Sequence, residues 1–276
     1  MRRIMVSILI LAGILSLAAC SSGKASGEKK EIKIGATAGP YSDQIKESIK
    51  PLLEKEGYSV KIVEFNDYIQ PNKALDEGDI DVNVYQNPRY LEQFNKDHEM
   101  DLVYLYAVPS APIAIYSEKH TKLSDVKAGV KVTLPNDPVN MARSLQMMEQ
   151  YGWIKLNPEI DATTVSEKDI IENNLKLNVV PLEAGQLPRS LGDSDFAFIN
   201  GNFALASGLK LDESVAIEKT PDHYLVGVAI KNEDKDKPFV AALQSAYHSK
   251  EFLEYTNKNL VGFVKPSYQT ELEAKK

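Results

Sequence analysis

The chain has 276 residues, of which 43% are hydrophobic and 26% are charged, a balance typical of globular proteins. Its formal net charge is −7, and loss of Arg2 and Arg3 with a cleaved signal would take it to −9. The other arginines are Arg89, Arg143 and Arg189. Such an acidic chain is a poor candidate for binding nucleic acid or anionic lipid. Because Cys20 is the single cysteine, no disulfide can form within the chain.

The N-terminus has the pattern of an export signal. After the two arginines, residues 4–17 form an apolar run shorter than the roughly 20 residues that a spanning helix needs. Leu17-Ala18-Ala19-Cys20 resembles the lipobox of bacterial lipoproteins, which implies cleavage after residue 19 and lipid, including palmitate, on Cys20. We therefore predict a signal peptide over 1–19, a flexible linker over 20–31, and a lipid anchor on the extracytoplasmic face of the cell membrane.

Strand-like apolar runs alternate with helical patterns through the rest of the chain. The first series predicts strands at 32–36, 60–65, 80–85, 102–107 and 113–116, with helices over 42–57, 71–77 and from residue 88. The second predicts strands at 130–134, 179–182, 196–200 and 223–231, with helices over 137–151, 186–191, 203–207 and 238–259. Such alternation is typical of an α/β protein with mostly parallel sheets flanked by helices.

Two such series indicate two lobes with a ligand cleft between them, beside the carboxyl ends of the strands. We assign 32–109 and 225–276 to lobe 1 and 110–224 to lobe 2. In this assignment the strand over 223–231 is the return crossing.

No motif of a hydrolase, a nucleotide-binding loop or a zinc protease is present. The four histidines, His98, His120, His223 and His248, are scattered, which favours surface positions over a metal site. We therefore expect no enzymatic activity, no metal and no cofactor. A hydrolase with dispersed catalytic residues is the rival that turnover assays with ester or peptide substrates would reveal.

Polar and aromatic residues follow several of the predicted strands. They occur at 65–68, 85–88, 135–140 with Arg143, and 200–203. An arginine presents a planar fork to a carboxylate, asparagines donate and accept hydrogen bonds, and aromatic rings suit an apolar or sulfur-containing tail. These types suit a zwitterion with an apolar side chain. The alternative is that the asparagines and prolines only form turns and caps, which we favour for Asp137 and Pro138.

Several separate segments resemble the NlpA/MetQ family, the methionine-binding lipoproteins of ABC importers. The best stretches are 65–68 with 71–75, 78–83, 135–138 with Asn140 and 143–145, and 182–184 with 186–191. The resemblance covers the mature chain and implies a type II periplasmic-binding-protein fold. It also implies delivery of methionine to a membrane permease driven by an ATPase.

The resemblance also assigns site residues. Arg143 matches the carboxylate-binding arginine, Asn200 a ligand-binding asparagine, and Tyr68 and Tyr85 the aromatic positions around the methionine side chain. With Asn87 and Asn140 these complete the predicted ligand-binding set.

Two positions depart from the family pattern. Asn87 stands where the family commonly has histidine, and Val226 stands where it commonly has asparagine in the return strand. A lost side-chain hydrogen bond to a charged ligand group costs about 1.5–3 kcal/mol. The alternative ligands are therefore another amino acid or a short methionine-containing peptide. A surface adhesin or interaction lipoprotein is the alternative outside transport.

Overall fold

The computed structural model describes residues 30–275, and the predicted signal peptide, Cys20 and most of the linker lie outside them. The strands are β1 (Lys30–Thr37), β2 (Tyr58–Phe65), β3 (Val82–Gln86), β4 (Leu102–Ala107), β5 (Ile113–Tyr116), β6 (Lys131–Pro135), β7 (Lys155–Leu156), β8 (Ile170–Glu172), β9 (Asn178–Leu182), β10 (Phe196–Asn200), β11 (Ala216–Ile217) and β12 (Gly227–Lys231). β1 begins at Lys30, and the predicted linker bounds stay a prediction.

The helices flank two separate sheets. They are α1 (Pro40–Gln44), α2 (Lys50–Lys55), α3 (Gln70–Glu77), α4 (Pro88–His98), α5 (Pro138–Gln150), α6 (Gly201–Ala206), α7 (Pro238–Tyr247), α8 (Lys250–Asn259) and α9 (Ser267–Ala274). None of the helices within 30–275 combines the length and apolar character that crossing a bilayer requires.

The two larger sheets have five strands each. The first has the order β2-β1-β3-β12-β4 and the second β11-β5-β10-β6-β9. This is the two-lobed α/β architecture that the sequence predicted, but both sheets are mixed rather than mostly parallel. In the first sheet β12 runs antiparallel to β3 and β4, and in the second β5 runs antiparallel to β10 and β11.

The antiparallel strands occur where the chain passes between the sheets. The chain leaves the first sheet after β4, enters the second with β5, and returns through the 3-10 turn Asp222–Tyr224 into β12. The predicted strand over 223–231 is therefore shorter, since its first four residues form this turn and crossing. The exact lobe boundaries given above stay a prediction.

A proline shapes the first helical segment. The predicted single helix consists of α1, a π-helical turn over Ile45–Ile49, and α2. The Lys50 amide donates to the Ile45 carbonyl, one residue further back than in an α-helix. Pro51 has no amide hydrogen and its ring would clash with the carbonyl four residues earlier, so the wider turn relieves the crowding. Gly57, at φ 88°, ends the segment.

Another predicted helix is two helices. Instead of one helix over 238–259, α7 ends at Tyr247 and α8 starts at Lys250. Ser249 between them accepts a hydrogen bond from the Phe252 amide, which makes it the N-cap of α8. The sequence carries this cap signal, but the uninterrupted apolar pattern across it favoured one long helix.

The buried apolar residues form separate clusters, one of which has members from both sheets. One buried cluster covers the first sheet and includes Ile34, Val84 and Phe252, and a second covers the other sheet around Leu145 and Phe198. A third joins aromatic residues that follow β2 and β3 to residues of β10 and α6. The carboxyl ends of the strands meet at this third cluster, which is where the sequence places its candidate site.

Candidate ligand-binding site

A small cavity of about 20 Å³, room for a water-sized group, lies between the two sheets. Its lining comes from both sheets and from both crossings between them. The lining residues are Tyr41, Tyr68, Tyr85, Gln86, Asn87, Tyr90, Ala111, Asn140, Arg143, Asn200, Asn202, Tyr224 and Val226. All six predicted ligand-binding residues are in this set. Their role in binding stays a prediction, but the structure brings them to one place.

Local structure explains how each residue reaches the cavity. Tyr85 and Asn200 lie at the carboxyl ends of β3 and β10. Asn87 is the N-cap of α4, and Asn140 and Arg143 lie one turn apart on the inner face of α5. Asp137 and Pro138 have the cap and first-turn roles favoured for them, since the Asn140 amide donates to Asp137 Oδ1 at 2.9 Å and Pro138 is the first residue of α5.

Arg143 is fixed by three neighbours. Its Nε and Nη2 donate to Oε1 and Oε2 of Glu218 at 3.0 and 2.6 Å, and its Nη1 donates to Asn140 Oδ1 at 2.9 Å. The guanidinium carbon lies 4.4 Å from the centre of the Tyr224 ring. A guanidinium has five N–H groups, so one on each terminal nitrogen is left without a partner in the described part of the chain. These two groups can donate to a ligand carboxylate.

Asn140 supports the arginine rather than offering free polar atoms. Its amide nitrogen donates to both carboxylate oxygens of Asp137, and its oxygen accepts from Arg143 and from Asn200 Nδ2 at 3.1 Å. Burial raises the pKa of Asp137, although the hydrogen bonds from Asn140 and the charge of Arg143 oppose that shift. We interpret Asn140 as a positioning residue for Arg143 and Asn200.

Asn200, a lining residue, has a buried acceptor without a partner in the described part of the chain. Its Nδ2 bonds to Asn140, while its buried Oδ1 finds no hydrogen-bond partner within 30–275. Leaving a buried carbonyl oxygen unpaired is costly, so such an atom beside a cavity indicates a partner that binds there. The oxygen can accept from an ammonium or amide group of a ligand.

Four aromatic rings form the apolar wall. Tyr68 has ring centres 5.7, 5.8 and 4.9 Å from those of Tyr85, Tyr90 and Phe203. The Tyr85 and Tyr90 hydroxyls both donate to the Tyr68 carbonyl at 2.9 Å. Burial raises the pKa of all three tyrosines, so their hydroxyls stay protonated donors and the wall carries no charge.

Asn202 links the two sides of the cavity. Its Oδ1 accepts from the Tyr68 hydroxyl at 2.7 Å, and its Nδ2 donates to Oγ1 of Thr37, the last residue of β1, at 3.2 Å. Both partners belong to the part of the chain that forms the first sheet, whereas Asn202 lies in α6 after β10. Asn202 therefore holds the two sides of the cavity together. It lies in the polar and aromatic segment 200–203 but is absent from the predicted ligand-binding set.

The two departures from the family pattern line the same cavity. The Asn87 side-chain oxygen accepts from the Tyr90 amide at 2.9 Å, so this residue caps α4. The Val226 amide donates to Ser110 Oγ and its carbonyl accepts from the Val108 amide, at 2.7 Å each. Val226 thus presents only apolar surface. No histidine within 30–275 lines the cavity, and in that range no cluster of three or more acidic, histidine or cysteine side chains is placed to hold a metal.

Comparisons with known proteins decide the family. A sequence model described as NlpA lipoprotein matches residues 32–268. The chain belongs to the NlpA lipoprotein family. This family assignment agrees with the two-lobed fold and with the cavity where the strands of both sheets end.

Relatives in the family span nearly the same length. The chain is 38% identical to the D-methionine-binding lipoprotein MetQ of Salmonella typhi over 251 residues, which cover 90% of this chain and 92% of the relative. It is 32% identical to the methionine-binding lipoprotein MetQ of Bacillus subtilis, covering 94% and 96%. A nutrient binding protein from Burkholderia cenocepacia bound to methionine superposes with a TM-score of 0.81 at 39% identity, covering 85% and 99%.

Proposed function

We propose that this chain is the substrate-binding lipoprotein of an ABC importer, which captures methionine between its lobes and delivers it to a membrane permease driven by an ATPase. The proposal rests chiefly on the presence of Arg143 and Asn200 in the lining of the same cavity. Two unpaired N–H groups and one unpaired buried oxygen lie beside an aromatic cavity, as an amino-acid zwitterion requires. The names of the relatives supply methionine as the candidate.

The energetics are adequate for capture. Burial of a methionine-sized side chain against the tyrosine wall contributes about 1.5–3 kcal/mol. Each hydrogen bond to a charged ligand group adds about 1.5–3 kcal/mol. The protein releases an unchanged ligand in this scheme, so no catalytic step is assigned. Lipid on Cys20 would hold the domain on the extracytoplasmic face of the membrane, next to its permease.

One property of the cavity keeps a second ligand class open. Because Val226 offers no polar group, Asn200 Oδ1 is the acceptor best placed for a ligand nitrogen. An ammonium has three N–H groups to satisfy, whereas a peptide nitrogen has one. A single acceptor matches a peptide nitrogen better than an ammonium, so a short methionine-containing peptide is one alternative cargo, and another amino acid is the other. Native mass spectrometry of the purified protein distinguishes them by the mass of the bound molecule.

The decisive variant is Arg143→Lys. Lysine keeps a positive charge for Glu218 but lacks the guanidinium fork, so the fold should persist while methionine affinity in calorimetry falls by about 10- to 100-fold. Arg189→Lys, at an exposed arginine, is the matched control and should bind like the parent protein. Equal affinity of the Arg143→Lys and parent proteins would refute the assignment of Arg143, and a parent protein that binds neither methionine nor a methionine-containing peptide would refute the function.

A further inference from the structure

Glu218 binds one edge of the Arg143 guanidinium. Its Oε1 accepts from Arg143 Nε, and its Oε2 accepts from Arg143 Nη2 and from the Thr220 hydroxyl at 2.7 Å. The Ile113 amide adds a longer bond of 3.4 Å. The Glu218 side chain is 8% exposed and that of Arg143 is 5% exposed. The Glu218 carboxylate is therefore held in place by protein groups rather than by water.

Its partners keep Glu218 ionised. Burial alone would raise the pKa of this carboxyl, but the charge of Arg143 and the hydrogen bonds from Arg143, Thr220 and Ile113 together hold the pKa below its ordinary value. A carboxylate with this many donors is also fixed in position. Arg143 therefore has two N–H groups left for a ligand.

The pair determines the charge that a ligand meets. Arg143 is the one lining residue with a formal charge, since the lining tyrosines are neutral and the rest are amides or apolar residues. Glu218 cancels that charge at 2.6 Å. Asp137 lies behind Asn140, whose amide nitrogen donates to both of its carboxylate oxygens. The resulting cavity has directional donors but little net positive charge.

We propose that Glu218 is a positioning residue that also sets the charge specificity of the cavity: it cancels the charge of Arg143, so that the site selects a net-neutral amino acid over an anionic analogue of the same shape. This inference rests on the proposed function. An arginine without Glu218 would attract a carboxylate and repel an ammonium, which would favour the anion.

The test is a charge series measured by calorimetry at fixed pH and salt. At about pH 6, where an α-amino group beside an amide is protonated, the ligands methionine, its deaminated analogue 4-(methylthio)butanoate, and methioninamide have net charges of 0, −1 and +1. We expect the parent protein to bind methionine at least about tenfold more tightly than either analogue. If it binds 4-(methylthio)butanoate as tightly as methionine, the proposal is overturned without any variant being needed.

Glu218→Gln then removes the charge at nearly constant shape. We expect the ratio of methionine affinity to 4-(methylthio)butanoate affinity to fall by about tenfold or more, and methioninamide to weaken further. A purely structural role for Glu218 would weaken all three ligands in proportion and leave the ratios unchanged, which would overturn the proposal. Glu218→Asp keeps the charge and should keep the ratios of the parent protein even if its affinities fall.

Glu213→Gln is the matched control. It makes the same chemical change five residues earlier, at a side chain that is 54% exposed and pairs with Lys210. All three affinities should equal those of the parent protein. A parent protein that binds none of the series speaks against the proposed function itself, whereas unchanged ratios in Glu218→Gln speak only against the role of Glu218.

Discussion

The hydrogen bond between Tyr68 and Asn202 offers a direct test of how the cavity stays closed. It joins the two sides of the cavity and is 2.7 Å long between buried groups. Tyr68→Phe removes this bond and keeps the ring that packs on Phe203 at 4.9 Å. Asn202 keeps its second bond, to Thr37, so the variant isolates one contact.

The magnitude follows from the change in the closed state. The variant loses a net hydrogen bond of about 0.5–1.5 kcal/mol and leaves Asn202 Oδ1 buried without its donor, so we expect a total of about 1–2 kcal/mol. In the open state water solvates both groups, and the loss therefore falls on closure. We expect the dissociation constant of methionine to rise about 5- to 30-fold, with a smaller effect on the melting temperature.

The assay is calorimetry with methionine on five proteins, namely the parent, the two single variants and the double variant of the cycle, and one control. Tyr116→Phe is the matched control, because the Tyr116 hydroxyl is also buried but has no partner in the described structure. It should leave the affinity unchanged. A double-mutant cycle with Asn202→Ala separates the bond from any direct contact between Tyr68 and ligand, since only the bond gives a coupling energy. Additive effects in the cycle, or parent-like affinity of Tyr68→Phe, would refute this account of closure.

Two other predictions concern stability and location. In Gly227→Ala the added methyl group would overlap the Tyr104 ring and the Tyr106 carbonyl, so we expect a loss of about 1–3 kcal/mol and a melting temperature lower by several degrees. Gly192→Ala, where the nearest atom is 3.9 Å away, is its control, and equal melting of the two variants would contradict the steric argument. Cys20→Ala should abolish incorporation of an alkyne-labelled palmitate and release the protein from the membrane fraction; retained label would place the lipid elsewhere.

Local sequence signals predicted much of the fold. β4, β5 and β10 have the bounds that their apolar runs indicate, and Asp137 and Pro138 start α5 as their residue types suggest. Each of these features depends on neighbours within a few residues. The mixed sheets could not be predicted in this way, because the direction of β12 depends on where the chain returns from the second sheet.

The residues of the candidate site also fall into those that local sequence signals predict and those that they do not. Residues at strand ends and helix starts were found because position in an element and side-chain type are both local. Glu218 and Asn202 were missed as site residues because their partners are distant: Glu218 bonds Arg143 across 75 positions, and Asn202 bonds Tyr68 across 134. No spacing rule connects such pairs. A lone glutamate in a segment between short strands gives no sign that it faces a buried arginine.

The hydrogen bonds among the lining residues indicate which interactions determine the affinity for a ligand. The side-chain amides of Asn140, Gln86 and Asn202 form hydrogen bonds to other protein groups. The backbone of Val226 forms hydrogen bonds to neighbouring residues. Among the lining side chains within 30–275, Arg143, Asn200 and the Nδ2 of Asn87 have polar groups for which the chain provides no partner. The ligand therefore gains few new hydrogen bonds, and most of the free energy that separates a tight binder from a weak one must come from closure and from burial of its side chain. A residue such as Asn202 can then change affinity through closure even where it does not touch the ligand.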